Sequence, residues 1–217
     1  MNVLAIEYSS HQRSIAIARG TAQDASSVVE VVETGGRAAN TFAMISAALD
    51  QAGLEREQIE CIAVGIGPGS YTGIRAAIAT AQGWQLATGL RLLGIGSADP
   101  ILSDAIHLGI TGRTAIVIDA QRGEFYVSTQ DLNASTPGLP EINLSILPLA
   151  SVLALEEEGC TLIGPEAPAG SRRFRIVLPR AATLARLALT RSDYVSGESI
   201  TPIYLRETAF VKHTPTR

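Results

Sequence analysis

The residues of this 217-residue chain best suited to chemistry lie in one stretch, GIGPGSYTGIR, residues 65–75. Gly67 and Gly69 permit positive φ, and Pro68 stiffens the turn. Ser70 or Thr72 can cap the helix that follows, whose first N–H groups then point outward as an anion site. The usual catalytic templates do not fit. No lysine follows the glycines as a P-loop requires. A dinucleotide fingerprint fails because Ser70 or Thr72 stands where its third glycine should be. A serine elbow fails because Ser70 is flanked at two residues by Pro68 and Thr72. An anion site and a purely structural turn both remain open.

Two carboxylates are the next candidates. AIEYSSHQRSIAI and VIDAQRGEFYV each end a strand in an acid, Glu7 or Asp119, then turn into a second strand. If the two turns face each other across a cleft, their N–H groups can cradle phosphates and the acids can hold hydrated Mg²⁺. The candidate nucleotide or phosphate contacts are therefore Glu7, Ser9, Ser10, Gly67, Gly69, Ser70, Thr72, Gly73, Asp119 and Arg122. The plainer reading is that both acids simply finish strands.

The elements that must position these groups follow from periodicity. Residues 3–8 and 14–19 read as a hairpin and SSVVEVVET as a third strand. Phe42, Ile45, Leu49 and Ala52 recur at helical spacing between an Asn40 cap and a Gly53 stop. A buried strand at 61–66, a helix at 72–88 and a strand at 91–95 complete a β-β-β-α-β-α-β order. The second half repeats it with gaps. A helix near 99–107 precedes the VIDAQRGEFYV strand pair, a strand at 142–147, a helix in LASVLALEEEG, the strand CTLIG and a last helix in AATLARLALTR. The expected fold is α/β, an RNase H-like two-lobe fold with its second lobe shortened. Lobe one is 1–98 and carries the glycine turn; lobe two is 99–217.

The helix at 72–88 is apolar or small nearly all round, so more than one side should be covered. Ile74, Ile78, Ala81 and Trp84 form a candidate seam. One face would pack on the sheet, and the other would meet the preceding helix and a second molecule. Phe42, Ile45, Leu49, Ile74, Arg75, Ile78, Ala81 and Trp84 are the candidate partner-interface residues. Burial entirely within its own lobe is the alternative.

Composition narrows the function classes. Hydrophobic residues make up 46% and charged ones 18%, with a net charge of −4. The chain is a folded globular protein with apolar surface to spare, and its overall field does not suit gripping nucleic acid. The arginines of SRRFRIVLPR form a local basic run, read as a solvated edge strand or as a tRNA contact. Cys61 and Cys160 each open an apolar run and read as buried thiols. No leader or membrane span is legible, and a cytoplasmic location is expected.

GIGPGSYTGIR with its alanine-rich helix, LAIEYSS, IDAQRGEFYV, LIGP and the terminal PIYLRE together strongly resemble the TsaB (YeaZ) family, in order along the whole chain. The resemblance implies an actin/Hsp70-like fold and a role in making N6-threonylcarbamoyladenosine beside the anticodon of tRNA. It implies a non-catalytic subunit that binds and activates the homologous TsaD, with the ATPase TsaE joining the assembly. It also implies pairing through the two first-lobe helices, by homodimer when TsaD is absent, with tRNA met indirectly. No cofactor is implied for the chain alone, and ATP or ADP with Mg at the partner interface stays open. Two features depart from the family: Glu7-Tyr8-Ser9 replaces a common Asp-Thr-Ser, and a histidine is missing from GGRAANTF. The histidines His11, His107 and His213 are scattered, so no H-x-x-x-H metal pair of the TsaD type is present. Two rival readings are a free-standing ATPase or phosphotransferase using Glu7 and Asp119, and a glycoprotease-like (M22-type) peptidase, which needs a metal pair or a serine with a histidine base.

Overall fold

The computed structural model describes residues 1–21, 25–34, 40–133, 138–203 and 205. His213, the GGRAA run and half of PIYLRE lie outside them. Two five-stranded sheets are built on one plan. In the first, β1 (Asn2–Glu7), β2 (Gln12–Gly20), β3 (Ala25–Thr34), β4 (Cys61–Gly65) and β5 (Arg91–Ile95) lie in the order β3-β2-β1-β4-β5. In the second, β6 (Gly112–Asp119), β7 (Glu124–Leu132), β8 (Ser145–Pro148), β9 (Thr161–Gly164) and β10 (Arg175–Ile176) lie in the order β10-β9-β6-β7-β8. Each sheet is a meander of three antiparallel strands extended by two parallel ones. This is the α/β, actin-like two-lobe architecture.

Side-chain alternation assigns the faces of the first sheet. Leu4, Ile6, Ile15, Ile17, Ile62 and Val64 point to α1 (Thr41–Ala52) and α2 (Tyr71–Thr88). The opposite face carries Val3 and the small residues Ala5, Ala16, Ala18, Cys61 and Ala63, which let the alanine-rich α5 (Ala181–Leu189) lie close. The α5 N–H groups are capped from that sheet: Ala181 N–H donates to Ser14 Oγ at 2.8 Å and Ala182 N–H to the Glu30 carboxylate at 3.0 Å. A division at residue 98 thus separates the strands of the two sheets, while α5, from beyond it, completes the first.

The second sheet has α3 (Ala98–His107) on one face and α4 (Leu149–Glu157) on the other. α3 also packs on α5, joined by Thr183 Oγ1 donating to Asp104 at 2.7 Å. Where the first lobe places α2 between its fourth and fifth strands, the second has only the loop 165–174; that is its shortening. The strand expected at 142–147 forms later, at Ser145–Pro148. Cys61 and Cys160 are buried free thiols, and burial raises both above the ordinary range, Cys61 to about 11. No helix among the described residues is long and apolar enough to cross a membrane.

Candidate functional site

The glycine turn closes on the chain's own backbone. Asn40 and Ser70 are the N-caps of α1 and α2, and Ser70 Oγ accepts from Gly73 N–H at 3.3 Å. Ser70 N–H donates to Ser9 O at 2.7 Å, drawing the turn onto the β1–β2 connection. A Cβ on Gly69 would stand 2.2 Å from Ser9 O, and one on Gly73 2.0 Å from Tyr8 O. Both glycines are required because two backbones pass at contact distance. Ser9 and Ser10 are buried in the same junction.

Glu7 lies beneath this turn and is wholly buried. One carboxylate oxygen accepts from Ser9 N–H at 2.7 Å, the other from Ser97 Oγ at 2.9 Å, and Ser97 Oγ also accepts from Gly67 N–H at 3.2 Å. A Cβ on Gly65 would fall 2.0 Å from the carboxylate, so the strand end is moulded around it. Burial pushes the Glu7 carboxyl above its usual range, against the hydrogen bonds from Ser9 and Ser97. The expected metal-facing acid is instead an internal support of the turn. Ser97, which completes that support, carried no signal in the sequence.

Asp119 is its exposed counterpart. Its oxygens accept from Gln121 N–H at 2.8 Å and Gln121 Nε2 at 2.6 Å, so both lobes tie the carboxylate to the N–H two residues on. Gln121 and Arg122 hold φ of 66° and 61°, a left-handed run unusual for non-glycine residues. Asp119 and Gln121 do face Gly69, Tyr71 and Ile74, across a cleft of about 150 Å³ that Pro202 and Ile203 also line. Ile203 is fixed there by its N–H to Ile66 O at 2.8 Å. Small-molecule sites run to roughly 300–1,000 Å³. With Glu7 enclosed and the cleft this small, these residues do not fit a nucleotide–Mg²⁺ group. Among the described residues, neither His11 nor His107 bonds a serine hydroxyl; the His107 ring lies 2.7 Å from Ser103 O.

The larger concavity is on the other side of α2. A groove of about 810 Å³ runs between α1 and α2, walled by Phe42, Ser46 and Asp50 on one side and Ala79, Gly83 and Ala87 on the other. Ile45, Leu49 and Trp84 line its floor, and Glu55, Arg56 and Glu57 ring one end. Phe42 is 72% exposed and Leu86 90%. Arg75 stacks on the exposed Tyr71 ring at 4.2 Å. The expected seam needs correction: Ile74, Ile78 and Ala81 are buried against the first sheet, as are most of Ile45 and Leu49. The open stripe of α2 is Thr72, Arg75, Ala76, Ala79, Gly83, Leu86 and Ala87. Of the eight candidate interface residues, Phe42 and Arg75 are exposed and Trp84 is half-buried.

A family model for TsaD, tRNA N6-adenosine threonylcarbamoyltransferase, matches residues 21–138, more than half of the chain. An uncharacterized protein of Mycobacterium tuberculosis (strain ATCC 25618 / H37Rv) is 38% identical over 82 residues, 38% of this chain; the chain thus spans only 36% of that relative's length. The tRNA threonylcarbamoyladenosine biosynthesis protein TsaB of Haemophilus influenzae is 27% identical over 192 residues, with 80% of this chain and 81% of that protein covered. The solved structure of YeaZ from Pseudomonas aeruginosa superposes with a TM-score of 0.74 at 26% identity, over 94% of this chain and 99% of that one. The chain therefore belongs to the family of the tRNA N6-adenosine threonylcarbamoyltransferase TsaD, and within it to the TsaB/YeaZ group.

Proposed function

We propose that this chain is a non-catalytic subunit that docks on and activates a TsaD-type transferase for N6-threonylcarbamoyladenosine modification of tRNA, through the groove between α1 and α2. The observation that carries the reading is the groove itself, about 810 Å³ of open concavity walled by the exposed Phe42 and by Ala79, Gly83 and Ala87. Apolar surface of this kind, rimmed by charge, suits a protein partner. Gly83 adds to the case. It sits in mid-helix, where glycine costs about 1 kcal/mol relative to alanine, yet nothing lies within 4 Å of where its Cβ would be. A partner helix approaching closely there would give that cost a reason.

The enclosed glycine turn supports the accessory role, because Ser70 and Gly73 N–H groups already have protein acceptors. A nucleotide at the junction with the partner would draw most of its ligands from the partner. A second copy would occupy the same groove when the partner is absent, TsaE would join only the assembled complex, and the location would be cytoplasmic.

The test is to mix the purified chain with a TsaD-type protein and follow co-elution and threonylcarbamoylation of a tRNA transcript, with and without the chain. Modification that needs both proteins is the expected result. Full modification by the partner alone, or separate elution, overturns the proposal.

A further inference from the structure

The β9–β10 connection is where the second lobe departs from the plan of the first, and the replacement is basic. Arg172, Arg173 and Arg175 are all exposed within four residues of a chain whose net charge is −4. Their backbone is fixed. The buried Glu156, in the last turn of α4, accepts from Ser171 Oγ at 2.8 Å, Arg172 N–H at 3.0 Å and Arg173 N–H. Phe174 packs inward on the sheet and Arg175 pairs with Ile163 at the sheet edge. Acids beside the loop offset its charge only in part. Glu156 serves the loop backbone, and Glu158 is held by Arg113 at 2.9 Å. Among the described residues no carboxylate ion-pairs with Arg172, Arg173 or Arg175, although Arg173 feels the Glu156 charge.

We infer that the Glu156-anchored loop 171–175 is a contact for the phosphate backbone of RNA, its three guanidiniums held ready on a pre-ordered main chain. Guanidinium forks match phosphate oxygens in pairs, and an ordered loop loses little freedom on binding. The inference rests on the tRNA-modification reading above. An RNA ligand is favoured over an acidic protein because relatives of this chain are named for work on tRNA.

The probe is an unmodified tRNA transcript, titrated against the full chain both alone and mixed with a TsaD-type partner, from 50 to 200 mM salt. The triple variant R172Q/R173Q/R175Q is expected to weaken binding about tenfold or more and to flatten the log–log salt slope by about 2–3, since each of the three lost phosphate contacts removes roughly 0.7–0.9. The triple lysine variant should keep the slope. Glu156→Gln should keep the slope but lower affinity a few-fold, by loosening the loop. Unchanged affinity and slope in the glutamine variant overturn the inference. So does a variant that binds tRNA normally but no longer joins a protein partner, which would make the loop a protein contact. The arm without partner reports on RNA whether or not docking occurs, so failure of the docking proposal is read separately.

Discussion

At the scale of single residues, Glu7 carries the clearest consequence. Burial holds its folded pKa above the unfolded value, so the native state binds the extra proton. Its stabilising contribution is complete below the unfolded pKa and is lost as pH rises through the folded one. Glu7→Gln keeps the shape without the charge. It should therefore gain on the native chain as pH climbs from 5 to 8, and show no gain at pH 4. Thermal melts across that range check this, at roughly 2–4 °C for each kcal/mol in a chain of this size. Glu156 has the opposite sign. Burial alone would raise it, but the Ser171 hydroxyl and the N–H groups of Arg172 and Arg173 outweigh that and lower it. Its contribution is present above the unfolded pKa and is lost as pH falls through the folded one. The glycines make a sharper prediction. Gly73→Ala drives a methyl into Tyr8 O and should cost about 1–3 kcal/mol or more in urea unfolding, whereas Gly83→Ala should stabilise the isolated chain by about 1 kcal/mol. The residue types at Glu7 and Asp119 were legible in the sequence. Which one is enclosed was not, because that depends on Gly65 and Ser97, brought in from distant positions.

At the scale of elements, α2 has two faces with opposite duties. Ile78 is 5% exposed and Ala81 fully buried, so Ile78→Glu or Ala81→Glu would put a charge into the core and unfold the lobe rather than report on docking. Ala79→Arg and Gly83→Arg on the open stripe are the informative changes. Each should leave the melting temperature of the isolated chain within a few degrees and abolish co-elution with the TsaD-type partner. A co-elution profile matching the native chain would count against the groove. The sequence revealed the helix and offered Ser70 or Thr72 as its cap, of which Ser70 is the one used. It did not reveal the phase, because a helix apolar nearly all round carries no polar stripe to mark the outside. β10 was legible as a basic edge, though not that its preceding loop replaces a helix.

At the scale of the molecule, two lobes of one plan meet across a cleft partly filled by the chain itself. Pro202 and Ile203 line it, and the glycine turn faces its own hairpin. The purified chain should release no phosphate from ATP above background, with or without Mg²⁺. Turnover that disappears in Asp119→Ala would restore the phosphotransferase reading. The repeat of strands was legible because each half spells the same hairpin, AIEYSS and VIDAQR. The return of α5 to the first sheet was not, since chain order alone places that helix with its neighbours.

That return has a consequence for how the protein is made. While a ribosome has released only the first hundred residues, the inward face formed by Val3, Ala5, Ala16, Ala18 and Ala63 has no cover, because the segment that shields it is translated only later. The amino-terminal half must therefore wait for residues 181–189 before its hydrophobic layers close, and a fragment ending at residue 98 should aggregate where the intact polypeptide does not.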